Sequence, residues 1–333
     1  MHRTLENLSK KYGPIFALQL GKRLVVVVSS PSMVKECFTK NDIVLANRRP
    51  LMIGGYNCTT LVDTCYGDHW RNLRRICALE IFSSGTLKES QTIRQLEVNH
   101  LVHKLFQNCQ DFGTIFELKS KFTELSFNVI MRMVIVIGGT DTTAVTIEWA
   151  MTLLLNHSEV LNKARIEINN HVGSDRLVNE ADLPNLRYLQ SIISETFRIR
   201  PAAPMLIPHQ SAHDTKIGGF DIPSGTIVLV NAWAVHRDPS VWDDPGSFIP
   251  ERFEGIDVKS WELLPFGMGR RACPGAGLAQ RVIGLAIGTL VQCFEWQKVG
   301  QEMDLIEGSG LTLAKFEPLT AKCKARDIAY TVL

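Results

Sequence analysis

Several features that mark other classes of protein are missing from this chain of 333 residues. Its eight cysteines include no pair with CxxC spacing, and a chain of this length does not depend on disulfides, so reduced and mostly buried thiols are expected. The 36 basic and 34 acidic residues nearly balance and form no sustained basic stripe, which argues against a nucleic-acid partner. There are also no internal repeats and no low-complexity tract.

Long apolar runs are absent as well. The longest aliphatic runs, residues 24–28 and 134–137, are far too short to span a bilayer, so no transmembrane helix is expected. The first residues, 1–6, contain no apolar signal or anchor segment. The composition is that of an ordinary globular protein, with 45% hydrophobic and 21% charged residues, and it is sufficient for a large buried core.

The pattern along the chain is mainly α with small β-sheets. Residues 15–20 and 24–28 flank Gly21-Lys22 and predict a β-hairpin. Apolar residues recur at helical spacing in residues 69–81. A long apolar-periodic stretch covers residues 118–156, and a further helix over about 186–200 is expected to end before Pro201.

The strongest chemical signal is a glycine loop that ends in one cysteine, Phe266-Gly267-Met268-Gly269-Arg270-Arg271-Ala272-Cys273-Pro274-Gly275. Two glycines let the backbone approach a flat ligand, and the cysteine precedes a helix whose N-terminus favours a thiolate. The loop resembles the haem-binding loop of the cytochrome P450 family, F-x-x-G-x-R-x-C-x-G, at every specified position. The resemblance implies that Cys273 ligates the iron of haem b, and that the other cofactor-binding residues of the loop are Phe266, Gly269, Arg271 and Gly275. The alternative is a buried structural cysteine beside a glycine loop.

An acid and a base stand one helical turn apart at Glu195 and Arg198. By itself this spacing indicates only a surface salt bridge. With the cysteine loop present, it resembles the E-x-x-R motif of the same family, which pairs with an arginine of a downstream loop. The run Pro250-Glu251-Arg252-Phe253 supplies that arginine, so Arg252 is expected to complete a structural triad behind the cofactor.

Residues 138–143, Gly-Gly-Thr-Asp-Thr-Thr, interrupt the long apolar helix. A threonine hydroxyl can bond the carbonyl one turn back, here that of Gly138, and this bond bends a helix. The segment resembles the oxygen-activating motif of the family, which implies that Asp141 and Thr142 relay protons during dioxygen activation. The alternative is a glycine kink with a capping threonine.

Four residues, including Arg271 of the loop, are candidates for binding the haem carboxylates. Trp70 and Arg74 match a W-x-x-x-R helix, Arg271 lies two residues before Cys273, and His209 follows a proline. Arginine binds carboxylates through charge-assisted hydrogen bonds. His209 could equally be a satisfied polar residue, and Trp70 could be part of the core only.

The resemblance runs from about residue 12 to about residue 332 and is nearest to plant microsomal enzymes of the isoflavone 2'-hydroxylase-like group. Residues 66–75 and 141–151 carry this likeness. It implies a single cytochrome P450-like domain over residues 1–333 that hydroxylates a small hydrophobic, flavonoid-like or other aromatic substrate with O2. It also implies electrons from NADPH-cytochrome P450 reductase and a location at the endoplasmic reticulum membrane. Because the sequence as given has no anchor, a peripheral or cytosolic chain is the alternative. A basic face of Arg71, Arg75, Lys88 and Arg270 is a candidate reductase surface, or a solvated helix face.

Two departures from the family pattern affect these expectations. The N-terminal membrane helix is absent from the sequence as given, and the interval between Trp70 and Thr142 is short by roughly a hundred residues at typical helix and loop lengths. The join is expected near residues 132–137, so the fold should lack part of the distal helices that roof the substrate pocket. The pocket segments that remain are expected at residues 57–63, 138–145, 203–207 and 308–311.

Three functions remain open from the sequence. The leading one is a monooxygenase, whose activity a missing roof would impair. A haem-binding protein without catalysis is the second, and the short interval after Trp70 favours it. A haem-thiolate isomerase or dehydratase that does not use dioxygen is the third, and the pair Asp141-Thr142 argues against it.

Overall fold

The structure is a computed structural model that describes residues 1–48, 59–109, 111–133, 139–256, 258–300 and 304–333. Its helices and short strands agree with the mainly α pattern that the sequence predicts, so this prediction is confirmed. In chain order the elements are α1 (His2–Tyr12), β1 (Ile15–Leu20), β2 (Arg23–Val28), α2 (Pro31–Thr39), α3 (Asp68–Ile76), α4 (Ser84–Glu89), α5 (Gln91–Asn108), β3 (Ile115–Glu117), α6 (Leu118–Arg132), α7 (Gly139–Asn156), α8 (Ser158–Val172), α9 (Arg187–Ile199), β4 (His209–Gln210), β5 (Thr215–Ile217), β6 (Phe220–Ile222), β7 (Ile227–Val230), α10 (Ala232–Val235), α11 (Ala276–Cys293), β8 (Phe294–Lys298), β9 (Thr320–Ala325) and α12 (Asp327–Val332).

The first of two compact units consists of residues 1–83, 203–247 and 258–274. Its four-stranded sheet has the order β1-β2-β7-β4, in which β2 pairs antiparallel with β1 and parallel with β7. A strand with a neighbour on each side is buried more completely, and the run of valines in β2 meets that requirement. The predicted hairpin of β1 and β2 is confirmed.

Two helices of this unit show how local sequence sets helix ends. Pro31 occupies the first turn of α2, where its missing N–H costs no hydrogen bond. Helix α3 begins at Asp68 and ends at Ile76, after which residues 77–81 form one π-helical turn. The helical spacing over residues 69–81 therefore identifies the segment, but it does not distinguish the α-helix from the π turn.

The second unit consists of residues 84–202, 248–257 and 275–333. Helix α7 lies in its core, since every residue from Thr143 to Leu155 is buried. A three-stranded sheet of order β3-β9-β8 belongs to the same unit. Helix α9 ends at Ile199, just before the arginine that precedes Pro201, as the sequence predicts.

Helix α11 is, within the described ranges, the one helix that is long and apolar enough to cross a membrane. However, 72% of that window is buried inside the protein, which is the usual packing of a core helix. The prediction of a single domain over residues 1–333 stays a prediction, because each unit is defined by its own internal packing.

Candidate functional site

The cysteine loop lies in the first unit. The backbone N–H of Cys273 donates to the carbonyl of Phe266 at 2.8 Å, which closes the loop. Gly267 and Gly269 have φ angles of 69° and 72°, a region that residues with a β-carbon rarely adopt. Cys273 is exposed, so its sulfur is accessible to a ligand.

Asp42 holds this loop in place, although the sequence gives no indication of its role. Its Oδ1 atom accepts the N–H of Arg270 at 2.9 Å, and its Oδ2 lies 3.2 Å from the guanidinium of the same residue. A β-carbon on Gly269 would collide with the Asp42 carboxylate. The second loop glycine is therefore required both by its φ angle and by this close approach.

Gly275 stands at the N-cap of α11, whose first residue is Ala276. Its φ of −88° is accessible to any residue, so the backbone conformation there does not require a glycine. The predicted start of a helix just after Pro274 is confirmed.

Arg271 is held by three backbone carbonyls from two segments of the chain. Its Nε donates to Ala46 at 2.6 Å, its Nη1 to Leu61 at 3.1 Å and its Nη2 to Thr64 at 2.7 Å. Arg74 donates from Nη1 to the carbonyl of Ala272 at 2.6 Å. Both guanidinium groups thus lie beside the cysteine loop.

Arg48 joins these two arginines, and the sequence reasoning missed it. The side chain is 5% exposed and donates from Nη1 to the carbonyls of Pro208 and Ile207, at 2.6 and 3.1 Å. Its buried Nε has no hydrogen-bond partner among the described residues. Burial, with the charge of Arg271 nearby, lowers the pKa of Arg48 to about 9, and burial lowers that of Arg271 to about 10.

We call Arg48, Arg74 and Arg271 the arginine cluster. Among the residues that the structure describes, no carboxylate lies within 4.0 Å of any of their guanidinium nitrogens. Partly buried positive charge without an anionic partner is unfavourable, and a ligand with carboxylates would compensate it. The cluster therefore fits a dicarboxylate cofactor bound beside the cysteine loop.

Trp70 and His209 are both buried in the first unit, and both already donate to backbone carbonyls. The indole N–H of Trp70 donates to Leu61 at 3.1 Å, and the guanidinium of Arg271 lies 4.4 Å from the Trp70 ring. The Nδ1 of His209 lies 2.7 Å from the carbonyl of Leu45, which assigns the ring proton to that nitrogen. Burial, together with the charge of Arg48, lowers the pKa of His209 to about 3, so the imidazole is neutral.

The predicted proton-relay residues belong to the second unit. Asp141 is exposed in the first turn of α7, and its Oδ2 accepts a hydrogen bond from the hydroxyl of Thr312 at 2.6 Å. The carbonyl of Thr142 accepts the hydroxyl of Thr146 at 2.8 Å. The proposed bond from Thr142 to Gly138 lies outside the described residues.

The three residues of the predicted triad come together in the second unit. Glu195 and Arg198 are fully buried and form a two-fold hydrogen-bonded ion pair at 2.6 and 2.7 Å. Arg252 donates from Nε to Glu195 Oε1 at 3.1 Å, and the N–H of Ile249 donates to the same oxygen at 2.9 Å. The carboxylate thus fixes the segment that carries Arg252.

The other predicted residues are divided between the two units. Arg71 and Arg270 of the proposed basic face pair with Asp68 and Asp42, and Lys88 belongs to the second unit. Residues 57 and 58 of one predicted pocket segment, and residue 138 of another, lie outside the described residues. Among the described residues, no group of three or more His, Cys, Asp or Glu side chains could hold a bare metal ion. The roles of all these residues stay predictions.

The profile of the family described as Cytochrome P450 matches residues 1–135 and 132–318, which together exceed nine-tenths of the chain. The two matched stretches meet where the sequence predicts a join.

Curated relatives cover the whole chain. Cytochrome P450 81Q32 of Catharanthus roseus is 46% identical over 444 residues, covering 100% of this chain and 89% of the relative. Isoflavone 2'-hydroxylase of Glycyrrhiza echinata is 37% identical, covering 98% of this chain and 88% of that protein. Because 444 residues are aligned against 333, about a quarter of the aligned relative has no counterpart here, so the chain is shorter than these relatives.

A solved structure supports the fold. A zebrafish cytochrome P450 determined with abiraterone matches with a TM-score of 0.87 and 26% identity, covering 98% of this chain and 99% of that chain. The predicted fold and the predicted likeness to plant enzymes of the isoflavone 2'-hydroxylase type are therefore confirmed.

Proposed function

The chain belongs to the haem-dependent cytochrome P450 family of monooxygenases, and we propose that it hydroxylates a flavonoid-like or other aromatic small molecule with Cys273 as iron ligand. The observation that carries this proposal is the arginine cluster beside the cysteine loop, whose guanidinium nitrogens have no carboxylate within 4.0 Å among the described residues. Haem b has two carboxylates, which would supply the missing negative charge. The accessible Cys273 would supply the thiolate.

When bound, haem b supplies the activation of O2 by which one oxygen atom enters the substrate as a hydroxyl group and the other leaves as water. The chain contributes the groups around it. Arg48, Arg74 and Arg271 would orient the carboxylates, and hydrogen bonds near Cys273 would tune the sulfur. In this proposal Asp141 and Thr142 hold and pass protons from solvent.

The substrate class is inferred from relatives. One relative is named an isoflavone 2'-hydroxylase and another an isoflavone 3'-hydroxylase, which are 37% and 38% identical to this chain. Residues 308–311 and the described part of residues 139–145, all in the second unit, would contact the substrate. A contact from residues 203–207 stays a prediction. We propose a planar aromatic molecule with a phenolic ring, since apolar walls with a few polar groups favour such ligands.

The electron donor and the location are also proposals. We propose NADPH-cytochrome P450 reductase as donor, with Arg71 and Arg75 of α3 among the cations that meet its acidic surface. Docking through exposed charges is expected to weaken as salt rises. The endoplasmic reticulum membrane is the proposed location, by likeness to the plant relatives.

We propose that the residues missing relative to the relatives lie between α6 and α7, where the two matched stretches of the family profile meet. Exposed apolar groups on α6 support this proposal. Phe127 and Met131 are one turn apart, with exposed fractions of 50% and 46%. A distal roof would cover them, and without it we expect loose substrate binding and wasteful electron use. The comparisons do not favour the alternative of a haem-binding protein without catalysis.

The test of this function uses isotope-labelled oxygen. The haem-loaded chain is incubated with NADPH, the reductase, a panel of isoflavones and flavones, and ¹⁸O₂. A product with one ¹⁸O atom is expected, and Thr142→Val should lower its yield. Thr152→Val is a matched control, since its hydroxyl bonds the Glu148 carbonyl on the same helix at 2.7 Å. Absence of any labelled product from a chain that binds haem through a thiolate would contradict the proposal.

A further inference from the structure

Residues 304–315 form a loop that we call the C-terminal loop, and it reaches the predicted relay acid. The Thr312 hydroxyl donates to Asp141 Oδ2 at 2.6 Å. This distance lies in the range of charge-assisted O–H···O⁻ hydrogen bonds. The two residues are 171 positions apart in the sequence, so no local pattern brings them together.

The C-terminal loop is anchored near Thr312 by backbone hydrogen bonds. The N–H of Leu313 donates to the carbonyl of Ala202 at 2.9 Å. The carbonyl of Leu313 accepts the indole N–H of Trp149, a buried residue of α7, at 2.6 Å. Thr312 is therefore fixed relative to the same helix that carries Asp141.

An ion pair and a bridge hold the other arm of the loop. Arg200 lies 3.0 Å from Glu307, and both side chains are 9% exposed. Glu307 also forms an isolated antiparallel bridge with Lys315. The bridge between Glu307 and Lys315 thus joins the two arms of the loop on either side of Thr312.

Asp141 itself lies in an exposed position at the first turn of α7. An exposed aspartate samples several rotamers, and only some of them point a carboxylate oxygen toward a given proton acceptor. The backbone beside Thr312 is held by the hydrogen bond from Leu313 to Ala202. A hydrogen bond from the Thr312 hydroxyl therefore restricts the rotamers that the Asp141 side chain can adopt.

We propose that Thr312 is a positioning residue that holds the Asp141 carboxylate in one orientation for proton delivery. This inference rests on the proposed function, since Asp141 acts as a relay only in a monooxygenase. It also gives the C-terminal loop a second role. The predicted substrate segment, residues 308–311, directly precedes Thr312, so substrate contact and acid orientation are linked in one loop.

The first test measures the hydrogen bond without the cofactor. Amide hydrogen exchange of residues 308–313 is compared in the wild-type chain, Thr312→Val, Asp141→Ala and the double variant. Each single variant loses the same charge-assisted hydrogen bond, so we expect each to speed amide exchange by about tenfold. The double variant should add little more, because the bond is already lost in either single variant. Unchanged exchange in Thr312→Val, or additive effects, would overturn the proposal. Thr331→Val, which removes an exposed hydroxyl bonded to Asp327 in α12, is the matched control.

The second test separates positioning from packing. In the haem-loaded chain, the ratio of hydrogen peroxide released to NADPH consumed should rise several-fold in Thr312→Val and return to the wild-type value in Thr312→Ser. A wild-type ratio in Thr312→Val, with altered exchange, would show that Thr312 only packs the loop. Failure of the proposed function can be told apart from failure of this inference. In that case the wild-type chain would lack the thiolate-type carbon monoxide spectrum, whatever the result of amide hydrogen exchange.

Discussion

Arg198 donates from Nε to Glu195 Oε2 at 2.6 Å and from Nη2 to Glu195 Oε1 at 2.7 Å, and both side chains have no solvent exposure. A buried charge pair owes its stability to its complete set of partners. Here the second arginine and a backbone N–H complete the set around the carboxylate.

Removal of this carboxylate is expected to be costly. Glu195→Ala leaves the buried Arg198 guanidinium without its carboxylate and should lower the free energy of unfolding by about 3–5 kcal/mol. Urea unfolding followed by far-ultraviolet circular dichroism measures the change. As a control, Asp221→Ala breaks the exposed pair with Lys216 and should change stability by less than about 0.5 kcal/mol. Similar small changes in both variants would contradict a structural role for the triad.

The buried His209 side chain should make the free energy of unfolding depend on pH. Burial lowers the pKa of His209 from 6.5 to about 3, so the folded protein keeps the imidazole neutral where the unfolded chain protonates it. The stability that this group contributes is therefore present above pH 6.5 and is lost as the pH falls toward about 3. Between about pH 7 and about pH 5, the wild-type chain should lose ~2 kcal/mol more than His209→Gln.

The same unfolding titration on His213→Gln provides the control for that prediction. His213 is exposed, so this variant tests whether the loss of a surface imidazole, rather than of the buried one, accounts for the change. If the stability of His209→Gln showed the same pH dependence as the wild-type chain, the result would contradict a neutral His209 imidazole in the folded protein.

The cysteine loop gives a steric prediction at Gly269. Gly255 has the same φ of 72° with nothing within 4 Å of its missing β-carbon, whereas a β-carbon on Gly269 meets Asp42. Gly255→Ala should cost only the backbone strain, about 1 kcal/mol. Gly269→Ala should also displace the loop and weaken haem binding by roughly tenfold, equivalent to about 1.4 kcal/mol. Soret titration of the apoprotein with haem measures this, and equal affinity in the two variants would be the adverse result.

Exposed apolar groups on α6 give a prediction about association. Phe127→Ser combined with Met131→Ser removes two side chains that are about half exposed. Since little burial is lost, the free energy of unfolding should change by less than about 1 kcal/mol, while self-association should fall. Sedimentation velocity over a concentration series measures the association. Unchanged association with a large loss of stability would mean that these residues are core residues.

Much of the fold follows from local sequence. The β-rich runs on either side of Gly21-Lys22 and the proline after Arg200 set element boundaries that the structure reproduces. The cysteine loop was also identifiable, because Gly267 and Gly269 have a conformational reason to be there and Cys273 a chemical one. These features depend on neighbours in the chain.

Other parts of the site depend on contacts between distant segments. Arg48 meets carbonyls 159 and 160 positions away, and nothing in its own neighbourhood distinguishes it from a surface arginine. Asp42 meets the cysteine loop 228 positions away, and Thr312 meets Asp141 across 171 positions. The glycine at position 269 is visible in the sequence, but the sequence does not identify Asp42 as the residue that approaches it. Such contacts become visible only when the chain is folded.

The most direct test of the account is the ferrous–carbon monoxide difference spectrum of the purified, haem-loaded chain beside Cys273→Ser. We predict a red-shifted Soret band of the thiolate type in the wild-type chain and its loss in the variant, because Cys273 is the proposed iron ligand. Failure to take up haem, or an unshifted band that is identical in both proteins, would contradict the assignment of Cys273 and with it the proposed function.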